Sequence, residues 1–306
     1  MKTEMMKVAA CTAYNDISAI KFLEQPIPIP KPNEVLVKVS ATTVSAGDKS
    51  IFSLTQPFMK IIFGLKKLRQ PILGSEFSGT VVQVGDAVTD FSPGDKVFGS
   101  SDIKFKAHAE YKCINEKKAI AIAPNNLDIN SAAALAFGGC TAHTFLNKAN
   151  IKSCSNVLIY GASGAVGTAA VQLAKAYGAK VTAIASTNNL GLLKELGADQ
   201  TIDYTLTDYK NLLGQYDIIF DAVGKMDKTI LKNALQPDGR FVSVAKGLSS
   251  ETKIALNFIK KLVEVGKYKP VIDSTYDFDN IQEAFKRTIT NKKVGNVLVI
   301  VNKSDS

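Results

Sequence analysis

Apolar positions follow two different rhythms along this chain. In the first ~125 residues the apolar runs are short and punctuated. They include Val35-Leu36-Val37-Lys38-Val39, Gly79 to Gly85 (GTVVQVG), and a Phe91-Ser92-Pro93-Gly94-Asp95 turn that leads into Lys96-Val97-Phe98-Gly99. Short strands broken by Pro and Gly predict a β-rich, barrel-like unit. The later rhythm is longer. Asn156 to Tyr160 (NVLIY) reads as a buried parallel strand, and residues 165–177 place apolar side chains at 166, 169, 170, 173, 174 and 177, the spacing of one helix face. Gly178 stops that helix, because glycine enters the left-handed region without steric cost.

Further strands are predicted at Lys180 to Ser186, Thr201 to Tyr204, Tyr216 to Val223 and Gly239 to Ala245, with helices over 190–196, 226–236 and roughly 252–265. Alternating strands and helices imply right-handed βαβ units and a doubly wound parallel sheet, so the fold class is α/β with a β-rich domain in front. Asn296 to Val301 (NVLVIV) is one more strand. Nothing in residues 271–306 extends the parallel sheet, and this tail is expected to return to the first domain.

The candidate chemistry sits where the first parallel strand meets its helix, at Tyr160-Gly161-Ala162-Ser163-Gly164-Ala165-Val166-Gly167. Glycines let the backbone approach a pyrophosphate, while free N–H groups and the helix dipole face its charge. Ala162 stands at the first glycine of the usual GxGxxG pattern, so the motif supports dinucleotide binding without proving it. Ligands of such sheets lie at the carboxyl ends of the strands. This nominates Gly161 to Gly167, Ser186 and Thr187, Tyr204, Asp221-Ala222-Val223 and Val244 as cofactor-binding positions. An NAD site usually ends its second strand in an acid that bonds the ribose 2′-hydroxyl. Here that strand ends Ala185-Ser186-Thr187-Asn188, whose hydroxyls and amide suit a 2′-phosphate, so NADPH is the expected cofactor. Lys175, Lys180 and Lys194 are close in sequence, though solvated helix-face charge is their commoner role.

Composition narrows the classes. The 306 residues suffice for two domains, and 46% hydrophobic with 21% charged residues is ordinary for a globular protein. No apolar run approaches the ~18 residues of a membrane span. Met1-Lys2-Thr3-Glu4 leads straight into a strand-like segment with no signal-peptide pattern. Four scattered cysteines form neither a disulfide framework nor a CxxC pair, which fits a cytoplasmic location. The net charge of +9 can steer an anionic cofactor. The basic residues are dispersed pairs such as Lys117-Lys118 and Lys292-Lys293 rather than one tract, so no nucleic-acid partner is expected.

Together these segments resemble the medium-chain dehydrogenase/reductase superfamily, and within it the zinc-independent quinone oxidoreductase (zeta-crystallin-like) branch. The resemblance rests on Leu73 to Gly79 (LGSEFSG), Pro93 to Gly99 (PGDKVFG), Ala132 to Leu135 with Gly138 to Ala142 (GGCTA), the glycine turn, Leu196 to Asp199 (LGAD), Phe220 to Gly224 (FDAVG) and Gly295-Asn296-Val297. It implies a GroES-like domain over 1–127, a Rossmann NADPH-binding domain over 128–270 and a C-terminal return to the first domain over 271–306. It adds Asn296 to the cofactor-binding set. In the zinc-dependent relatives two cysteines and a histidine hold catalytic metal. Here those places fall in Val44 to Asp48, at Ser75 and near Phe137, and the only histidines are His108 and His143. Zinc wants three or four N, S or O ligands, so no metal is expected. A Cys140–His143 pair lacks an orienting third group.

The resemblance implies reduction of a small lipophilic quinone or α,β-unsaturated carbonyl. Ser45 and Thr141 are the candidate donors to the developing oxyanion. Glu76 is expected to order the cleft loops and Asp48 to have a structural role, with proton shuttling the alternative for either. Residues 51–70, rich in Phe52, Leu54, Phe58, Met59, Ile61, Ile62, Phe63 and Leu65, are expected to form a substrate lid, core packing or an interaction surface. One departure stands out. Relatives carry a further strand after the fifth, whereas Val244 to Glu251 runs directly into the next helix. A shortened sheet is expected, with a monomer or atypical dimer. The alternative reading is a non-catalytic NADPH-binding protein acting through a partner or nucleic acid.

Overall fold

The structure is a computed structural model describing residues 4–302, apart from 56, 66, 102–103, 207–208, 228, 230–232 and 248–250. Strands β1 (Met5–Cys11) and β2 (Ile20–Pro26) form an antiparallel hairpin. β3 (Glu34–Thr43) is the longest strand and organises a seven-stranded sheet. It pairs antiparallel with β4 (Glu76–Val84) and β6 (Tyr111–Asn115), while β5 (Lys96–Ser100) joins β4 to β7 (Ile120–Ile122). Two short helices, α1 (Ala46–Phe52) and α2 (Pro57–Phe63), fill the connection from β3 to β4. α3 (Ile129–Ala132) and α4 (Ala136–Lys148) lead into the second layer.

There β8 (Asn156–Tyr160), α5 (Ala165–Ala176), β9 (Lys180–Ala185), α6 (Leu190–Glu195), β10 (Gln200–Asp203), β11 (Tyr216–Asp221) and β12 (Leu235–Ser243) build a five-stranded parallel sheet in the order β10-β9-β8-β11-β12. The strand order reverses between β8 and β11, the switch point at which such sheets bind ligands. β8 is apolar because both its faces are covered: Val157 and Ile159 pack with α4 and α5, and Leu158 packs with Ile184 and Ile219. On α5, Val166, Ala169, Ala170, Leu173 and Ala174 are buried as the helical spacing predicts, and Gly178 ends the helix at φ +82°.

After β12 the chain enters α7 (Lys253–Glu264), whose N-cap Thr252 accepts from Ala255 N–H. Among the described residues the parallel sheet ends at β12, so it is the shortened sheet anticipated from the sequence. β12 begins at Leu235, inside the segment expected to be helical up to 236. Leu235 pairs with Tyr216, and Gln236 precedes Pro237, a position that disfavours the helical region. Part of that expected helix falls on residues outside the described set.

The tail adds β13 (Ile272–Asp277), α8 (Ile281–Ile289) and β14 (Asn296–Ile300). β14 pairs antiparallel with β3, setting Leu298 against Thr43. α8 packs Ile281 and Phe285 on Phe52 of α1. No helix among the described residues is long and apolar enough to cross a membrane.

Candidate active site

The glycine turn is as tight as its composition suggests. Gly161 has φ +75°, and a methyl group added there would lie 2.1 Å from a Val223 methyl. A methyl at Gly167 would lie 2.2 Å from the Gly161 carbonyl oxygen and 2.6 Å from Ala162 Cα. Gly164 caps α5 with no side-chain bond, leaving the amides of the first turn unclaimed by side chains. Ala162 N–H donates to Ile184 C=O (3.0 Å), which ties the turn to β9. The sequence reading missed a contact from the far end of the chain: Gly295 N–H donates to Ser163 C=O (2.8 Å) and bridges Gly164.

At the end of β9 the predicted residues divide. Ser186 Oγ accepts from Asn189 Nδ2 (3.1 Å), and its own proton has no acceptor among the described residues. Thr187 Oγ instead donates to Asp203 (2.5 Å), and its proton is not available. Asp203 also accepts from Thr205 N–H and hydroxyl, and these hydrogen bonds, the Thr187 one foremost, hold its carboxyl below the usual range. Tyr204 is 48% exposed beside them, its N–H on Ala185 C=O. Lys175 is committed to Asp199 (2.8 Å) and the Ala179 carbonyl.

Asp221 turns inward. Its carboxylate accepts from the N–H groups of Val223 (3.1 Å), Gly224 (2.8 Å) and Met226 (3.0 Å), and from Ser243 Oγ. It therefore shapes the turn that ends β11 at Asp221 rather than at Val223. That turn leaves Val223 48% exposed over Gly161. Ala222 N–H donates to Tyr160 C=O, and Val244 N–H to Asp221 C=O. Asn296 does not reach the turn with its donors, since its amide Nδ2 and backbone N–H both bond Val271 C=O.

Between the layers, Ser45 and Asp48 form a capping box at the start of α1, in which Ser45 N–H (2.9 Å) and Oγ (2.7 Å) both donate to Asp48 Oδ2. Asp48 Oδ1 accepts from Gly74 N–H (2.8 Å). His108 donates from Nε2 to Thr43 C=O (3.0 Å), and burial holds its ring below its ordinary pKa, hence neutral. Glu76 is fully buried, with its carboxylate between the Thr43 hydroxyl and Phe137 N–H (2.6 Å), which ties β3 and β4 to the start of α4. Burial pushes Glu76 up to about 7, against the lowering effect of those two bonds. Lys293, which in the sequence reads as a surface charge, points into this region: Nζ donates to Gly295 C=O, and burial lowers it to about 8 while nearby Glu76 raises it.

Thr141 is buried on α4, and its hydroxyl has no partner among the described residues. Gly138, one turn earlier, lies against the Ala165 backbone, where an added methyl would be 2.7 Å from the Ala165 carbonyl oxygen. Residues i and i+3 share a helix face, so Thr141 belongs to the face of α4 that meets the start of α5. An orphaned buried hydroxyl is costly, and it suits a donor whose acceptor is a bound molecule.

The raised carboxyl has a testable consequence. Glu76 binds its proton more tightly in the folded chain than in the unfolded one, so stability is lost as pH rises from about 4.5 towards 7. Glu76→Gln removes that loss. Denaturant melts should show the variant more stable than the parent at pH 8 by up to about 3 kcal/mol, with little difference at pH 4. An unchanged pH slope in the variant would contradict a buried Glu76.

The expected lid is mixed. Phe52 and Leu54 are core residues, Phe52 meeting the Phe285 ring at 5.4 Å, whereas Ile61, Ile62 and Leu65 are exposed. The side chains of Phe58 and Met59 lie outside the described residues. His143 faces Tyr177 Oη (3.1 Å) and the Phe258 ring. Among the described residues no three His, Cys, Asp or Glu side chains gather as a metal site.

Comparison with known proteins agrees with this architecture. Residues 31–157 match the alcohol dehydrogenase GroES-like domain, and residues 165–289 the zinc-binding dehydrogenase family. The chain is 34% identical to the 2-methylene-furan-3-one reductase of Solanum lycopersicum, over 96% of this chain and 79% of that protein. It is 33% identical to the chloroplastic NADPH-dependent alkenal/one oxidoreductase of Arabidopsis thaliana, with the same two shares. The quinone oxidoreductase from Coxiella burnetii superposes with a TM-score of 0.88 at 26% identity, covering 98% of this chain and all of that one (100%).

Proposed function

The chain belongs to the medium-chain dehydrogenase/reductase superfamily of oxidoreductases, and from that premise we propose that it is an NADPH-dependent reductase of quinones or α,β-unsaturated carbonyls that works without zinc. The observation that carries this reading is the glycine cradle at the β8–β11 switch point, where added methyl groups would meet backbone or Val223 at 2.1–2.2 Å. The first-turn amides of α5 would hold the pyrophosphate, with Ser186 and Tyr204 at the adenosine end and Ala222 and Val223 across the turn. Thr187, Asp221, Val244 and Asn296 act behind them, holding loops in place.

Bound NADPH supplies a hydride. The chain's part is to position the acceptor, exclude water and stabilise the negative oxygen that develops on it. The Thr141 hydroxyl has the free donor for that oxygen. Ser45 is bound to Asp48 and acts by holding α1. The places where zinc-dependent relatives carry ligands offer no imidazole or thiolate: Ser45 caps α1, Ser75 C=O accepts from Ser101, and Phe137 N–H bonds Glu76. Preference for NADPH over NADH is supported by the Ser186 proton and by the lack of an acid ending β9.

The test is NADPH consumption against a panel of quinones and enones, with NADH alongside, for the parent and Thr141→Val. The parent should turn over at least one class and favour NADPH. Thr141→Val should lower kcat by about 100- to 1000-fold, the usual scale for a lost oxyanion donor. Its melting temperature should hold or rise, since an unpartnered hydroxyl has been removed. NADPH binding with no acceptor reduced would refute the enzyme reading.

A further inference from the structure

A cavity of about 720 Å³ opens in the GroES-like domain, and every described residue lining it lies between Met6 and Lys118, none on the parallel sheet. Its walls are the open end of the β1–β2 hairpin, Ser100 and Ser101, Lys104 to Lys106, and β6. The volume falls in the range of small-molecule sites.

Its chemistry is lopsided. Met6, Pro28, Ile29, Ile72 and Ile114 supply an apolar surface. Lys31, Lys104, Lys106, Lys112 and Lys118 bring five cations, against Glu34 as the one carboxylate among the described lining residues. The whole chain carries 37 basic and 28 acidic residues, so the cavity is far more basic than the composition. The Glu34 carboxylate, which accepts from Lys31 N–H (3.2 Å), offsets one of those five charges and leaves the described lining basic by four.

Lys112 is the unusual member. It is 2% exposed, and Nζ donates to Ser101 Oγ (2.7 Å) and Phe105 C=O (3.1 Å) while sitting 4.5 Å from the Phe77 ring centre. No described carboxylate pairs with it. Burial, with Lys106 nearby, lowers it to about 7. Buried ammonium groups are normally paired, and among the described residues this one has only neutral acceptors. The wall that supplies them is strained: Phe105 (φ +50°) and Lys106 (φ +72°) are consecutive non-glycine residues in the left-handed region. Such conformations persist where the surroundings dictate them, and they cluster at ligand sites.

We propose that this cavity is a second binding site, separate from the dinucleotide cleft, for an amphipathic carboxylate whose head pairs with Lys112 and Lys106 and whose chain lies over Met6, Ile29 and Ile72. A singly charged head matches one buried ammonium, and an apolar chain accounts for the rest of the lining.

Calorimetric titration of the full chain with decanoate, decanol and inorganic phosphate tests this. Decanoate should saturate one site at least tenfold more tightly than decanol or phosphate. Lys112→Met and the surface change Lys106→Glu should each weaken decanoate at least tenfold, and Thr141→Val should leave it unchanged. The site is refuted by absent saturation, by decanol or phosphate matching decanoate, by loss in Thr141→Val, or by undiminished binding in the lysine variants. If Lys112→Met does not fold, Lys106→Glu decides.

Discussion

Gly167→Ala should reduce NADPH affinity at least a hundredfold. The added methyl would lie 2.2 Å from the Gly161 carbonyl oxygen, 2.6 Å from Ala162 Cα and 2.7 Å from Ala162 C, all backbone atoms of the turn that would cradle the pyrophosphate. A side-chain obstacle yields by rotating, but here either the turn or the start of α5 must move. Both are fixed from other directions, by Ala162 N–H on Ile184, by Gly295 N–H on Ser163 and by Gly138 against Ala165. A displacement of the amides by an ångström removes the convergence on one phosphate that makes a helix N-terminus an anion site. Gly164→Ala separates binding from folding. At φ −76° with 3.8 Å to the nearest atom, its methyl fits the chain itself. It should leave the melting temperature within a degree or two and still weaken NADPH by tenfold or more, because the methyl would occupy the space over the turn that the proposed site gives to the diphosphate. Fluorescence titration and thermal melts of both variants decide. Parent-like affinity in Gly167→Ala would remove the turn from the site.

The sheet was legible because its strands are buried on both faces and therefore apolar in sequence, as in NVLIY and KVTAIA, and because Gly178 and Gly197 mark helix ends by conformations other residues rarely take. The start of β12 was not legible, since Leu235 is drawn into the sheet by its pairing with Tyr216, a tertiary effect that local pattern does not carry. The same distinction runs through the site. The glycine turn is local and was read from eight residues. Thr187 looks like a free donor until Asp203, on the neighbouring strand, accepts its hydrogen bond. Asp221 at a strand end looks like a ligand, but the three N–H groups it binds lie within five residues ahead, and that turn could have been anticipated from FDAVGKM as an Asx-type cap. Lys293 and Gly295 acquire their roles only when the tail returns beside β3, which brings Gly295 to Ser163. Nothing local in NKKVGN distinguishes Lys293 from a solvated charge.

Asp48→Ala should cost about 4 kcal/mol of folding stability, the scale of breaking a buried hydrogen-bonded carboxylate site. Asp48 is completely buried, and its two oxygens accept from Ser45 N–H, Ser45 Oγ and Gly74 N–H. Removing the carboxylate strands two backbone donors that water cannot reach easily, and it also destroys the capping box of α1. The damage should spread to the neighbouring turn. Gly74 has φ +84°, and an added methyl would be 2.4 Å from the His108 ring, so Gly74 packs directly on the imidazole whose Nε2–H holds Thr43 C=O. Thr43 in turn donates to Glu76. Loss at Asp48 therefore loosens the floor of the cleft from α1 to α4. Asp48→Asn distinguishes charge from geometry. An amide has one acceptor oxygen, so in either orientation its NH2 faces a backbone N–H, of Ser45 or of Gly74. It should thus be nearly as damaging as alanine despite its matched shape. Equilibrium denaturation of both variants measures this, and an Asp48→Asn variant within 1 kcal/mol of the parent would mean that Asp48 is not the doubly accepting anchor described here.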